Sequence, residues 1–164
     1  MKFKNLVLTL GVLMMLAFTS MAAAAPSQVN RSMTAINAAK AEIPAVCELV
    51  GYNVDGDTSI ITFKDPNTLE RYVVDVNTAT AKVQEIEVKG ATFVMGSTMV
   101  TKTPDDIEKI VLKNYPNAYE IVITQGQDGN NIYYIADFLT DEFDGELKLD
   151  PVTGAICERE LEYF

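Results

Sequence analysis

Near the end of the chain, apolar Leu147, Leu149 and Ile156 alternate with polar Glu146 and Lys148, and the alternation is interrupted by Asp150-Pro151-Val152-Thr153-Gly154. Period-two patterning on both sides of an Asp, Pro and Gly cluster predicts a β-hairpin turning at those residues. The same arrangement occurs seventy-three residues earlier: Asn77 stands for Asp150, Thr80 for Thr153, Ala81 for Gly154 and Val83 for Ile156, without a gap. The strands leaving the two turns also agree, Val83-x-Glu85-x-Glu87 matching Ile156-x-Glu158-x-Glu160. The chain reads as a tandem repeat.

The other segments supply the elements that accompany these hairpins. Ser32 to Ile43 is Ala-rich, lacks Gly and Pro, and stops before Pro44. With Met33, Ile36, Ala39 and Ile43 spaced by three and four, it predicts a helix capped by Asn30 or Ser32. Strands are expected over Val46–Val54 and Ser59–Phe63 around the turn Asp55-Gly56-Asp57. After a turn at Asp65-Pro66-Asn67 come the strands of the first hairpin, Leu69–Val76 and Ala81–Val88. Residues 89–102 mix Gly90, Gly96 and Ser97 with Phe93, Val94 and Met95, too apolar for a free linker, and predict an extended segment packed on its neighbours.

Thr103-Pro104-Asp105-Asp106 has the chemistry of a helix start: a capping hydroxyl, a proline at the first helical position and two acids at the positive end of the dipole. Ile107, Ile110 and Val111 form its buried stripe, and Pro116 ends it. Strands are then expected over Glu120–Thr124 and Ile132–Phe138 around a loop at Gln125–Asn131. The acidic loop Thr140–Gly145 leads into the last hairpin. The expected fold is α+β, with repeats at 25–88 and 103–164 joined by a linker at 89–102, each repeat a helix packed on an antiparallel sheet of about four strands.

The beginning of the chain has a different character. Lys2 and Lys4 precede an apolar run from Leu6 to Phe18 and the small residues Ala22 to Ala25, the order of a secretory leader cleaved after Ala24. An uncleaved anchor is the rival reading, since Leu6 to Ala25 approaches the roughly 20 residues that span a bilayer; Thr19, Ser20 and the small-residue end favour cleavage. The expected location is extracytoplasmic, periplasmic or secreted, without stable membrane insertion. The net charge is −10, or −12 once Lys2 and Lys4 are gone, and between Asp137 and Glu162 nine acids stand against two bases. Such a surface repels nucleic acid and anionic lipid.

After a helix and strands, the hairpin pattern Tyr-x-Val-x-Val-Asp-x-x-Thr-Gly-x-Val is filled twice. Tyr72, Val74, Val76, Asn77, Thr80, Ala81 and Val83 fill it first, and Leu147, Leu149, Asp150, Thr153, Gly154 and Ile156 fill it again. This resembles the PepSY domain, found in propeptides of thermolysin-type peptidases and in free-standing exported bacterial proteins. The first copy departs with Asn for Asp and Ala for Gly, and the second carries Gly145 where Tyr is usual. The motif marks a fold and not a catalytic centre; what the resemblance implies is a protein partner, a secreted peptidase, that is bound or inhibited. The chain is also similar in architecture, length and acidity to secreted β-lactamase-inhibitor proteins, with no shared motif. A structural envelope protein without an enzyme partner is the reading from a different class.

Candidate chemistry is sparse. The chain has no His, which removes the usual neutral-pH base and the commonest zinc ligand, and no motif singles out another base for a Ser, Thr or Cys nucleophile. Asp141, Glu142, Asp144 and Glu146 are calcium-ligand types, but they lack the alternation of an EF-hand loop and read as a solvated turn, as does Asp55-Gly56-Asp57. No catalytic residue, metal or cofactor is expected. The two cysteines, Cys47 and Cys157, fall one in each repeat, and an oxidising compartment allows them to pair across the repeats.

Overall fold

The computed structural model describes residues 28–90 and 96–164; the leader and its cleavage site lie outside them. Helix α1 (Gln28–Ala41) precedes strands β1 (Glu48–Asp55), β2 (Thr58–Lys64), β3 (Arg71–Asn77) and β4 (Val83–Lys89). Helix α2 (Pro104–Asn114) precedes β5 (Tyr119–Asp128), β6 (Asn131–Leu139), β7 (Phe143–Leu149) and β8 (Ile156–Tyr163).

The expectation of two tandem helix-plus-four-strand repeats is overturned. All eight strands form one antiparallel sheet in the order β1-β2-β3-β4-β8-β7-β6-β5. The join is made by β4 and β8, which pair from Glu85 opposite Glu162 to Lys89 opposite Glu158. A separate four-stranded sheet would leave the hydrogen-bonding edges of β4 and β8 unpaired in each half, and pairing them removes both edges at once. The two hairpins that match in sequence are neighbours in one sheet.

Both helices lie on one face, α1 packed on β3 and β2 and α2 on β5 and β6. The strands alternate accordingly: buried Ile61 and Phe63, Tyr72, Val74 and Val76, Ile86 and Val88, Leu147 and Leu149, and Tyr134, Ala136 and Phe138 all point to the helices. With Ala35, Ala39, Ile107 and Val111 from the helices they form a single core. Helix α2 starts as its sequence predicts, with Thr103 and Asp106 in a reciprocal capping box and Pro104 first in the helix.

The two matching turns have the same internal bonding. Asn77 Oδ1 accepts from Ala79 N (3.1 Å), Thr80 N (3.0 Å) and Thr80 Oγ1 (3.0 Å), and Ala81 N donates to Asn77 O at 2.8 Å. Asp150 Oδ1 accepts from Val152 N (3.0 Å), Thr153 N (2.7 Å) and Thr153 Oγ1 (2.9 Å), and Gly154 N donates to Asp150 O at 2.9 Å. The fifth residue is left-handed in both, Ala81 at φ 57° and Gly154 at φ 75°. A ladder irregularity sits at the same place beside each turn, between Asp75 and Val76 and between Lys148 and Leu149.

Three local expectations change. Residues 125–128, expected in the loop Gln125–Asn131, continue β5. The ring of Tyr133 lies against Gly126, where a Cβ would come 2.4 Å from the ring, so this glycine makes room within a strand. The loop Thr140–Gly145 is shorter than expected, because β7 begins at Phe143. Cys47 and Cys157 are both free thiols. Cys47 immediately precedes β1, and β2, β3 and β4 separate β1 from β8 in the sheet, whereas a disulfide needs Cα atoms within about 7 Å.

The described part of the linker is a strap across the second turn. Thr101 N and Lys102 N donate to Pro151 O, Ser97 Oγ donates to Asp150 Oδ2 at 2.7 Å, and Ser97 pairs with Ile132. Burial alone would raise the Asp150 carboxyl, but hydrogen bonds from Thr153, Ser97 and Val152 outweigh it and hold the group below its usual value.

Candidate functional site: the open face of the sheet

Side chains that alternate with the core positions point away from the helices, onto a face that no element among the described residues covers. In β4, β8 and β7 these are Glu85, Glu87 and Lys89; Glu158, Glu160 and Glu162; Asp144, Glu146 and Lys148. The pairing of the strands sets them in rows. One row runs Asp75, Glu85, Glu162, Asp144 across β3, β4, β8 and β7. The next runs Glu87, Glu160, Glu146, Asp137 across β4, β8, β7 and β6. No base interrupts either row.

The third row contains the counter-charges. Lys89 pairs with Glu87 and reaches Glu158 at 3.7 Å, while Lys148 reaches Glu146 at 3.3 Å and Glu158 at 3.5 Å. Both lysines are clamped by acids, so neither is free to neutralise the far row. The Lys89 ammonium is held above its ordinary value, first by its bond to Glu87. Burial would lower Lys148, but Glu158 and Glu146 prevail and raise it.

The carboxylates show the cost of this arrangement. Partial burial and then the neighbouring acids raise Glu85, facing Glu160, Asp75, Glu87 and Glu162. Burial followed by Glu87 raises Asp75, and burial followed by Glu146 and Asp144 raises Asp137. Like charges opposite one another across strands destabilise a sheet. A folded-state carboxylate value above the unfolded one means the native state binds more protons, so stability increases as pH falls through the folded value toward the unfolded one. The melting midpoint is therefore expected to rise by roughly 3 °C between about pH 8 and about pH 5 at low salt. Below the ordinary Asp range the trend reverses as Asp150 and Asp106, both held low by hydrogen bonds, take up protons. A midpoint that falls steadily from neutral pH would show that the rows carry no such repulsion.

The residues singled out in the sequence fall elsewhere. Asn77, Thr80, Asp150, Thr153 and Gly154 build turns. Of the four acids weighed as calcium ligands, Asp141 and Glu142 occupy the β6–β7 turn beside Thr140, whose Oγ1 accepts from Glu142 N and Phe143 N, while Asp144 and Glu146 belong to the open-face rows. Among the described residues no three Cys, Asp or Glu side chains converge as metal ligands would. The alternating acids Glu85-x-Glu87 and Glu158-x-Glu160 were visible in the sequence, but their adjacency was not.

No family model matches the chain, PepSY included, and no curated protein matches it. Two solved structures match the chain at low similarity. One is a candidate lipoprotein from Clostridium difficile 630, at 17% identity over 78% of this chain and 90% of that chain, with a TM-score of 0.32. The other is a BLIP-like protein from Bacteroides fragilis NCTC 9343, at 12% identity over 76% of this chain and 82% of that chain, with a TM-score of 0.34. Likeness at this level carries nothing about function. Among the described residues no helix is long and apolar enough to cross a membrane.

Proposed function

We propose that this chain is an exported protein-binding module whose docking surface is the open face of the sheet, and that its partner presents a basic surface there. The observation that supports this is the pair of carboxylate rows, Asp75-Glu85-Glu162-Asp144 and Glu87-Glu160-Glu146-Asp137, on a face that no element among the described residues covers. A partner carrying Lys and Arg would relieve the repulsion that the isolated fold bears and would associate quickly through the acidic field. Nucleic acid would be repelled by the same field. Export rests on the leader pattern in residues 1–24, and action by binding rather than catalysis rests on the absence of His and of any activating base motif. A secreted peptidase, the partner class implied by the PepSY-like hairpins, and a β-lactamase are the enzyme classes to try first.

The test compares the exported chain with a variant carrying Asp75→Asn, Glu85→Gln, Glu162→Gln and Asp144→Asn, the row that neither Lys89 nor Lys148 neutralises. Each is immobilised, exposed to secreted proteins of the source organism, and assayed against purified peptidases and β-lactamases for association and residual activity. The reading expects a specific partner whose affinity falls ~tenfold or more in the variant and in high salt. The substitutions remove like-charge repulsion, so the variant should melt no lower than the parent, and lost binding is not lost folding. A partner held equally well by both chains places the docking surface elsewhere, and the absence of any partner returns the chain to the structural envelope reading.

A further inference from the structure

Strand β1 is outermost in the sheet: one side pairs with β2, and among the described residues no strand pairs with the other, which presents backbone N–H and C=O groups. Leu49, Tyr52 and Val54 stand opposite Phe63, Ile61 and Ser59, which are buried under the helices, so all three point to the helix face. Helix α1 packs on β3 and β2, one strand inboard, leaving these side chains 47%, 37% and 43% exposed.

Natural edge strands usually discourage pairing with Lys, Pro or inward charges. β1 has none of these; only its end residues Glu48 and Asp55 are charged, and its ladder, which shifts once between Leu49 and Gly51, is regular from Gly51 to Asp55. The opposite edge differs, because β5 carries a charge inside the strand, Glu120, in left-handed backbone at φ 51°.

We propose that β1 is a self-association edge, through which two copies of the chain pair antiparallel about a two-fold axis perpendicular to the sheet. Such an axis keeps the helices of both copies on one side, so the two apolar strips meet while the free backbone groups pair. In the register centred on Asn53, Tyr52 of each copy faces Val54 of the other, Asp55 faces Gly51, and no two acids are opposed. Charge selects a second copy at this place. A chain of net charge −10 repels itself over most of its surface, and its carboxylate rows begin at β3, whereas residues 49–54 are uncharged.

Sedimentation velocity of the exported chain from low micromolar to several hundred micromolar is the test. A reversible monomer–dimer equilibrium is expected, weakened ~tenfold or more by Leu49→Lys and by Val54→Lys and left unchanged by Val122→Lys on β5. Should the β1 variants fail to fold, hydrogen exchange in the unaltered chain gives the same information, since the edge amides of Gly51–Asp55 should slow as concentration rises. A monomer at every concentration, a dimer indifferent to both β1 substitutions, or a monomer that accepts a strand from a different protein at β1 would overturn the proposal. The outcome is independent of the open-face partner, which engages different strands.

Discussion

Replacing Phe138 by alanine is expected to lower stability by about 4 kcal/mol and the melting midpoint by roughly 10 °C. The ring is almost fully buried, packed against Tyr115 at 4.7 Å and Phe143 at 6.2 Å between centroids. Its inner side rests on Gly145, the residue directly opposite in β7, where an added Cβ would come 2.4 Å from Cζ of the ring. Truncation therefore removes a large apolar surface and also uncovers a glycine backbone that no side chain of its own can shield. Gly145→Ala should cost about 2 kcal/mol by itself, because Tyr115 stands behind the ring that must yield. In the double variant the new methyl enters the space left by the ring, so the combined loss should fall short of the sum by about 1 kcal/mol or more. Simple additivity in chemical denaturation would show that the ring and the glycine are not a fitted pair.

The second large effect is at the turns. Gly154→Val should cost roughly 3 kcal/mol, from a branched side chain in left-handed backbone and from contacts of 2.5 Å with Ile110 Cδ1 and 2.6 Å with Lys102 Cε. At the matching position of the first turn the sign reverses. Ala81 already bears the left-handed strain at φ 57°, so Ala81→Gly should gain up to about 1 kcal/mol. Thermal melts of the two variants check the pair, and small shifts of equal sign would mean that the fifth position does not control either turn. The second turn is the more constrained of the two because the strap from Ser97 to Lys102 and the side chain of Ile110 close over it.

What the sequence disclosed was local. Thr103 to Asp106 announced a helix start through side chains that act within four residues, and the Asn77 and Asp150 turns announced themselves through side-chain bonds that span three. Alternation assigned each strand residue to a face, including the acids of β4 and β8 that now define the open face. Alternation does not say which strand lies beside which, and the pairing of β4 with β8 joins residues 69 to 77 positions apart. Two consequences were hidden by that gap: the single sheet in place of two, and the rows that turn scattered acids into one field. Gly126 and Gly145 were opaque for a related reason, since the cause of each glycine is an aromatic ring on the neighbouring strand. The expected Cys47–Cys157 bridge assumed neighbours that the strand order sets apart.

The placement of β8 bears on how the chain is made. Of the eight strands of the sheet β8 comes last in chain order, yet it lies in the middle, between β4 and β7, and neither of those can complete its ladder until Tyr163 has left the ribosome. At ~5–20 residues per second the first four strands wait several seconds with β4 as an open flank, and closing a contact so distant in sequence is itself slow. Completion of the sheet is thus withheld until β8 has been made. Removal of Ile156–Tyr163 would take out the strand that seals one half of the sheet to the other.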